Sequence, residues 1–437
     1  MGGTGLSTVA LALLAHDLAG GQAGAVLGMA LTLRMVAYVG ISPVVGAFAD
    51  RLPRRPLLIG LDLARAVFVA CMLFVSEPWQ VYLLMFLVYA CSAGFTPTFQ
   101  ATIPDVLPDE GQYTRALSLW RLAYDLEHLV SPMLAAAALV LLSYDALFAA
   151  NAVAFLISAG LVYAVKLPAP KPQGRLHGVW HNVTYGIRVY LKTPRLRGLF
   201  ALSLAVAVAG AMVIVNTVVI VRIHFGGSKI ETAVAFAAFG AGSMVVALLL
   251  PRLLEERSDR LFMILGGFVL GLGLVLGLTA TNLITLLPVW LLIGSGSSLV
   301  QTPAGRLLKR SAQEADRPAI FAAQFALSHA CWLLAYPLAG WLGSVHDLPT
   351  AFVVLAILAF TSTIAALFLW PRRDPVRLEH VHEAIEHEHT HVHDEHHQHE
   401  HDGRECAEPH SHPHRHAPVR HTHDFVIDLH HSTWPLR

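Results

Sequence analysis

The chain has 437 residues, with 30 lysines and arginines against 30 aspartates and glutamates, so its zero net charge gives no pull toward nucleic acid. Apolar residues make up 55% and charged residues 14%, with a mean hydropathy of +0.56, a balance that excludes an ordinary water-soluble domain. The partner implied is a lipid bilayer, because apolar runs long enough to cross roughly 30 Å of hydrocarbon as helices recur along the chain.

In chain order the predicted helical runs are residues 3–18, 24–48, 57–76, 80–103, 117–142, 145–166, 198–222, 233–254, 260–280, 284–305, 319–344 and 350–370. They define an all-α membrane protein of about twelve transmembrane helices. The first run opens at Met1 without a charged or amphipathic lead-in and is barely long enough to span. It is either a short helix or one whose start lies upstream. A cleaved signal peptide fits less well, because no basic region precedes it.

The second and third runs carry Arg34, Asp62 and Arg65. Asp62 and Arg65 are three apart and can pair along one helix, and a bridge between Arg34 and Asp62 is expected ahead of a substrate contact. Asn151 and Asn216 read as polar glue between helices. The fifth run, LAYDLEHLVSPML at its centre, holds Asp125, Glu127 and His128, ionisable groups that are costly in hydrocarbon and so mark a cavity. Helix geometry puts Asp125 and His128 on one face, which makes them the candidate metal pair, and leaves Glu127 as a candidate proton carrier. The competing reading for Asp125 is an ion pair with Arg121, one turn earlier. The eleventh run adds His329 at a matching depth, with Gln324 and Cys331 nearby, and its competing reading is a neutral histidine hydrogen-bonded between helices.

A basic, polar stretch from residue 168 to 197, amphipathic around TYGIRVYLK, separates an N-terminal half (1–167) from a C-terminal half (198–370). Thr96-Pro97 recurs as Thr302-Pro303 and Pro132 as Pro337, offsets that agree within one residue and point to two six-helix pseudo-repeats. Lysines and arginines concentrate in alternate connections, among them Arg51, Arg54, Arg55, Arg195, Arg252, Arg306, Arg310 and Arg317, whereas the opposite set has little beyond Arg222 and Lys229. The positive-inside rule makes the basic set cytoplasmic and, with an even number of spans, both termini too. The expected location is the cell inner (plasma) membrane, multi-pass, with the chain acting as a monomer.

Residues 371–437 change character: 18 of the 25 histidines fall here. They are His380, His382, His387, His389, His391, His393, His396, His397, His399, His401, His410, His412, His414, His416, His421, His423, His430 and His431, interleaved with Glu and Asp rather than run together as in a purification tag. Neutral imidazole suits borderline divalent ions, so the stretch is read as a metal-binding cytoplasmic tail, disordered without metal, with room for on the order of three or four ions. Cys71, Cys91, Cys331 and Cys406 are isolated and form no disulfide framework or zinc motif. A phosphate-binding GxxxxGKS loop and a nucleophile–base constellation are both missing, so neither ATP-driven transport nor enzymatic activity is expected.

Between the second and third runs lies GAFADRLPRRPLL, residues 46–58, which resembles the signature loop of the major facilitator superfamily, roughly G-x-L-A-D-R-x-G-R-R. Gly46, Asp50, Arg51, Arg54 and Arg55 align, while Phe48 and Pro53 depart from it. A small residue there lets two helices approach, and an acid followed by guanidinium groups can form a charge network that locks the cytoplasmic side and breaks when a carrier changes state. With its histidine tail the chain is similar to one branch, the nickel-resistance permeases. That resemblance implies export of nickel, possibly also cobalt, by alternating access and proton antiport. The resemblance further implies that no cofactor is permanently bound, that a divalent metal serves as both substrate and tail ligand, and that the proton gradient supplies energy. A site from Asp125, His128 and His329 would then meet across the central cavity. The alternative cargo is an organic compound such as a siderophore or drug, with the tail sensing metal; it calls for an aromatic-lined cavity and few essential carboxylates in the membrane.

Overall fold

The computed structural model describes residues 14, 23–48, 52–120, 122–123, 143–165, 167, 179–255, 257–372, 374, 377–382, 386–391, 410–415, 419–427 and 434. Its helices are α1 (Ala23–Phe48), α2 (Arg54–Cys71), α3 (Pro78–Val106), α4 (Tyr144–Ala164), α5 (Val179–Lys192), α6 (Pro194–Val218), α7 (Lys229–Leu254), α8 (Asp259–Gly277), α9 (Leu283–Arg310), α10 (Arg317–Val345) and α11 (Leu348–Leu369). Residues 110–120 are also helical. Among the described residues nine helices are long and apolar enough to cross a membrane, and Thr32–Phe48 within α1 forms a shorter apolar helix. The runs at 3–18 and 117–142 fall largely outside the described residues.

Local chemistry sets where these helices begin. Ser228 and Glu231 cap α7 reciprocally, the Glu231 amide donating to Ser228 Oγ at 3.2 Å and the Ser228 amide to Glu231 Oε2 at 2.6 Å. Asp347 accepts from the Thr350 amide at 2.6 Å at the start of α11, with Pro349 in the first turn. Within the bundle, α1 packs on α3 and α2 on α3 and α4, whereas α6 to α9 and α11 pack among themselves, α7 most closely on α9. At that crossing a Cβ added to Gly242 would run into the Leu291 carbonyl, and one added to Gly294 into the Phe239 carbonyl, so each backbone rests on the other. Helix α10 joins the two groups: it packs on α6 and α11 on one side and on α1 and α3 on the other. The amphipathic α5 lies against both α10 and α1.

The lysine- and arginine-rich ends of these helices gather at one end of the bundle, called the basic end below. Beyond α11 no regular structure was expected. The described residues instead form four strands, β1 (Arg377–His382), β2 (Glu386–His391), β3 (His410–Arg415) and β4 (Val419–Asp424), with β1 antiparallel to β4 and β2 antiparallel to β3. The physical reason is the period of the sequence: H-x-H-x-H alternates in twos, the repeat of a strand, and edge positions tolerate Pro413.

Candidate gate and transport site

At the basic end, Asp105 near the end of α3 is the centre of an ion cluster. Its side chain is 2% exposed; one oxygen pairs with Arg54 at the start of α2 and the other with Arg317 at the start of α10. One carboxylate thus ties α2 to α3 and both to the C-terminal group of helices. Around it Arg306 of α9 reaches Glu110 at 2.9 Å and Asp259 at 3.5 Å, and Lys309 Nζ donates to the Pro108 carbonyl at 3.2 Å while lying 4.9 Å from the Tyr113 ring. On α1, Ser42 Oγ donates to the Ala322 carbonyl at 3.1 Å, and Gly46 lies so close to Ala322 and the Pro318 carbonyl that a side chain would collide. Helix α5 seals the same place from outside. Tyr185 donates to Asp316 Oδ2 at 3.2 Å, Gly186 faces the Ala319 carbonyl, and Tyr190 donates to Gln324 Oε1. Burial pushes the Tyr190 phenol well above its ordinary range, so it stays a donor at any physiological pH. Contacts between the two groups of helices close the basic end.

Of the signature-loop residues, Gly46, Arg54 and Arg55 are described, and Asp50 and Arg51 lie outside the described residues. Arg55 donates to the Tyr163 carbonyl and lies 4.6 Å over the Tyr163 ring, which holds α2 to the end of α4. Asp105, the acid that holds Arg54, is missed by the sequence reading. The available signal was an aspartate directly after Pro104 at the end of an apolar run.

Midway along α1 and α10 the seam is aromatic. The Tyr38 ring centroid lies 5.8 Å from Tyr89, 5.0 Å from Phe325 and 4.7 Å from His329, each edge-on, and Phe325 lies 4.1 Å from His329. Arg34 stands over Tyr38 and Tyr89 at 5.3 and 5.5 Å. His329 Nδ1 donates to the Phe325 carbonyl at 2.7 Å, one turn back, which requires a hydrogen on Nδ1. Cys331 and Gln324 are on the same helix, Cys331 buried. Among the described residues no group of three or more His, Cys, Asp or Glu is placed to hold a metal ion. Asp125, Glu127 and His128 lie outside the described residues, as do Arg121 and Pro132.

The expected bridge between Arg34 and Asp62 does not form. Asp62 is fully buried, pairs with Arg65 three residues on, and accepts from Ser158 Oγ of α4 at 2.8 Å. Arg65 is held between the Phe95 and Phe155 rings at 4.2 and 4.5 Å. Asp62 faces Ser158 on α4, and the described contacts of Arg34 include the Tyr38 and Tyr89 rings. Asn216 Nδ2 donates to the Ala339 carbonyl at 3.1 Å, joining α6 to α10.

The sequence model of the Major Facilitator Superfamily matches residues 1–257 and 200–390. Macrolide efflux protein A of Streptococcus pyogenes is 25% identical over 261 residues, 57% of this chain and 64% of that protein, so the match spans a little under two thirds of the relative's length. An uncharacterized MFS-type transporter of Bacillus subtilis (strain 168), YfiS, is 27% identical over 239 residues, 53% of this chain and 56% of that protein. Among solved structures, the human organic anion transporter MFSD10 (TETRAN) superimposes with a TM-score of 0.69 at 13% identity, covering 82% of this chain and 89% of that one, a likeness of fold. None of these three is named as a nickel or cobalt permease, and they lend no support to that branch of the resemblance. A family pattern over most of the chain, on a bundle of apolar helices with its two groups joined through α10, means that this protein belongs to the Major Facilitator Superfamily, a family of membrane transporters.

Proposed function

We propose that this transporter is an efflux carrier that moves an organic compound out of the cytoplasm by alternating access, with macrolides as the first compounds to test. The observation that carries the reading is the seam between α1, α3 and α10, built from Tyr38, Tyr89, Phe325 and His329 with Arg34 over two of the rings. The rings and the Arg34 guanidinium found there among the described residues suit a bulky, largely apolar solute better than a small hydrated ion. The kinship with a macrolide efflux protein supports the same cargo class. Under the positive-inside rule the basic end faces the cytoplasm of a multi-pass inner-membrane protein with twelve spans and cytoplasmic termini. The Asp105 cluster is then the inner gate in its closed arrangement, and the inward proton gradient is the energy source.

A second reading rests on one feature, the 18 histidines between His380 and His431, which favour a divalent metal such as nickel or cobalt as cargo. In that case Asp125 and His128 bind the ion with His329, and the histidine stretch concentrates it nearby. Growth and cell accumulation in a sensitive host separate the two. The expected result is lower intracellular macrolide and raised macrolide tolerance, with nickel, cobalt, zinc and copper contents unchanged. Lower cell nickel with unchanged macrolide content, abolished by Asp125→Ala or His128→Ala, would replace the organic reading with the metal one.

A further inference from the structure

Arg195, in the first turn of α6, is 1% exposed, yet among the described residues its Nη1 and Nη2 have no hydrogen-bond partner. Its Nε lies 3.6 Å from Asp374, just past α11. Asp374 also pairs with Arg310 at the end of α9 and accepts from Trp370 Nε1 at 3.0 Å. What covers the Arg195 guanidinium is the Trp434 ring, 4.8 Å away. Trp434 stands edge-on to Phe425 at 5.1 Å. Phe425 and Ile427, each 3% exposed, belong to the same buried cluster as Leu196, Leu199 and Trp370. The chain that leaves the bundle at α11 therefore returns to the place it left. The strands agree independently: the β1–β4 ladder pairs Arg377 with Asp424, so the outgoing and returning segments run side by side from the base.

We propose that residues 425–427 and Trp434 form a strap that docks on the basic end of α6, α9 and α11 and makes the histidine-rich stretch a loop closed at both ends. The partner of this surface is the chain's own FVI segment with Trp434, apolar side chains that follow the polar histidine-rich stretch. A buried guanidinium without hydrogen bonds persists only where something else compensates its charge, and here an aromatic face and a nearby carboxylate do so. The consequence for the imidazoles is spatial. A chain segment tied at both ends keeps its middle within roughly half the reach of one tied at a single end. The strap thus holds the histidines beside the basic end whatever the cargo is, and Arg310 places it one residue from Lys309, which contacts the N-terminal group of helices.

The test uses full-length purified protein. With Cys71, Cys91, Cys331 and Cys406 changed to serine, a single cysteine at Ile427→Cys is expected to react with a polar maleimide at least tenfold more slowly than one at the exposed Arg372→Cys. Adding Trp434→Ala should bring the two rates together while the size-exclusion profile stays unchanged. Hydrogen exchange at amides 425–427 of the protein with its native cysteines and Ile427 gives a second measure, and decides where the new cysteine itself loosens the segment. Fast exchange in that protein overturns the strap, and so does protection that survives Trp434→Ala.

Discussion

Asp105→Ala opens the basic end of the bundle. The carboxylate it removes is nearly inaccessible and neutralises two guanidinium groups, of which Arg54 is 4% and Arg317 16% exposed. Breaking a buried ion cluster by deleting one member costs about 3–5 kcal/mol, because the remaining charges lose their counterion. Of the two bonds lost, one lies within the N-terminal group and is lost equally in both states of the carrier. The other, to Arg317, joins the two groups of helices and is expected to break when the basic end opens. Assigning it about 2 kcal/mol shifts the equilibrium toward the open arrangement by roughly thirtyfold. The reporter is Ser42→Cys in a background without other cysteines, since Ser42 is fully buried in the closed seam against Ala322. Its alkylation rate should rise about thirtyfold with Asp105→Ala, and export should fall because the gate no longer closes. A labelling rate that does not move would remove Asp105 from the gate.

The second large effect concerns stability. Asp62 and Arg65 form an ion pair inside the apolar length of α2, with Ser158 satisfying the second carboxylate oxygen and two phenylalanine rings flanking the guanidinium. Asp62→Leu or Arg65→Leu alone leaves a buried charge without its partner and should destabilise the folded protein by about 3–5 kcal/mol. Changing both removes the need for compensation and restores apolar packing, so the double variant should be more stable than either single one. Thermal unfolding in detergent, monitored by size exclusion, gives the three values needed for a double-mutant cycle. A double variant as unstable as the sum of the singles would mean that the residues do not act as a pair.

Much of the helical framework was legible because the bilayer demands long apolar runs: 284–305 became Leu283–Arg310 and 350–370 became Leu348–Leu369. The runs underestimate the basic ends, since Arg306, Lys309 and Arg310 lower the hydropathy of the last turns of α9, which are helical and carry ion pairs of Arg306 and Arg310 and a hydrogen bond of Lys309. Partner choice was not legible. Whether Arg34 meets Asp62 or the rings of Tyr38 and Tyr89 depends on helix rotations set by packing across several helices, which spacing along one helix does not encode. Asp105 escaped for a related reason: at the end of a run it reads as a boundary, and its importance comes from Arg317, more than two hundred positions away. In the histidine-rich stretch the period-two pattern was visible, and so were Phe425, Ile427 and Trp434, but only the fold shows that they return to Trp370 and Arg195.

The most direct test of the central claim is uptake into inside-out membrane vesicles, where an exporter carries its cargo inward. With an acid interior, a radiolabelled macrolide should accumulate in vesicles containing the protein, should be released by an uncoupler, and should fail to accumulate with Asp105→Ala. No macrolide accumulation above protein-free vesicles, together with proton-dependent uptake of radiolabelled nickel in the same preparation, would contradict organic-compound efflux.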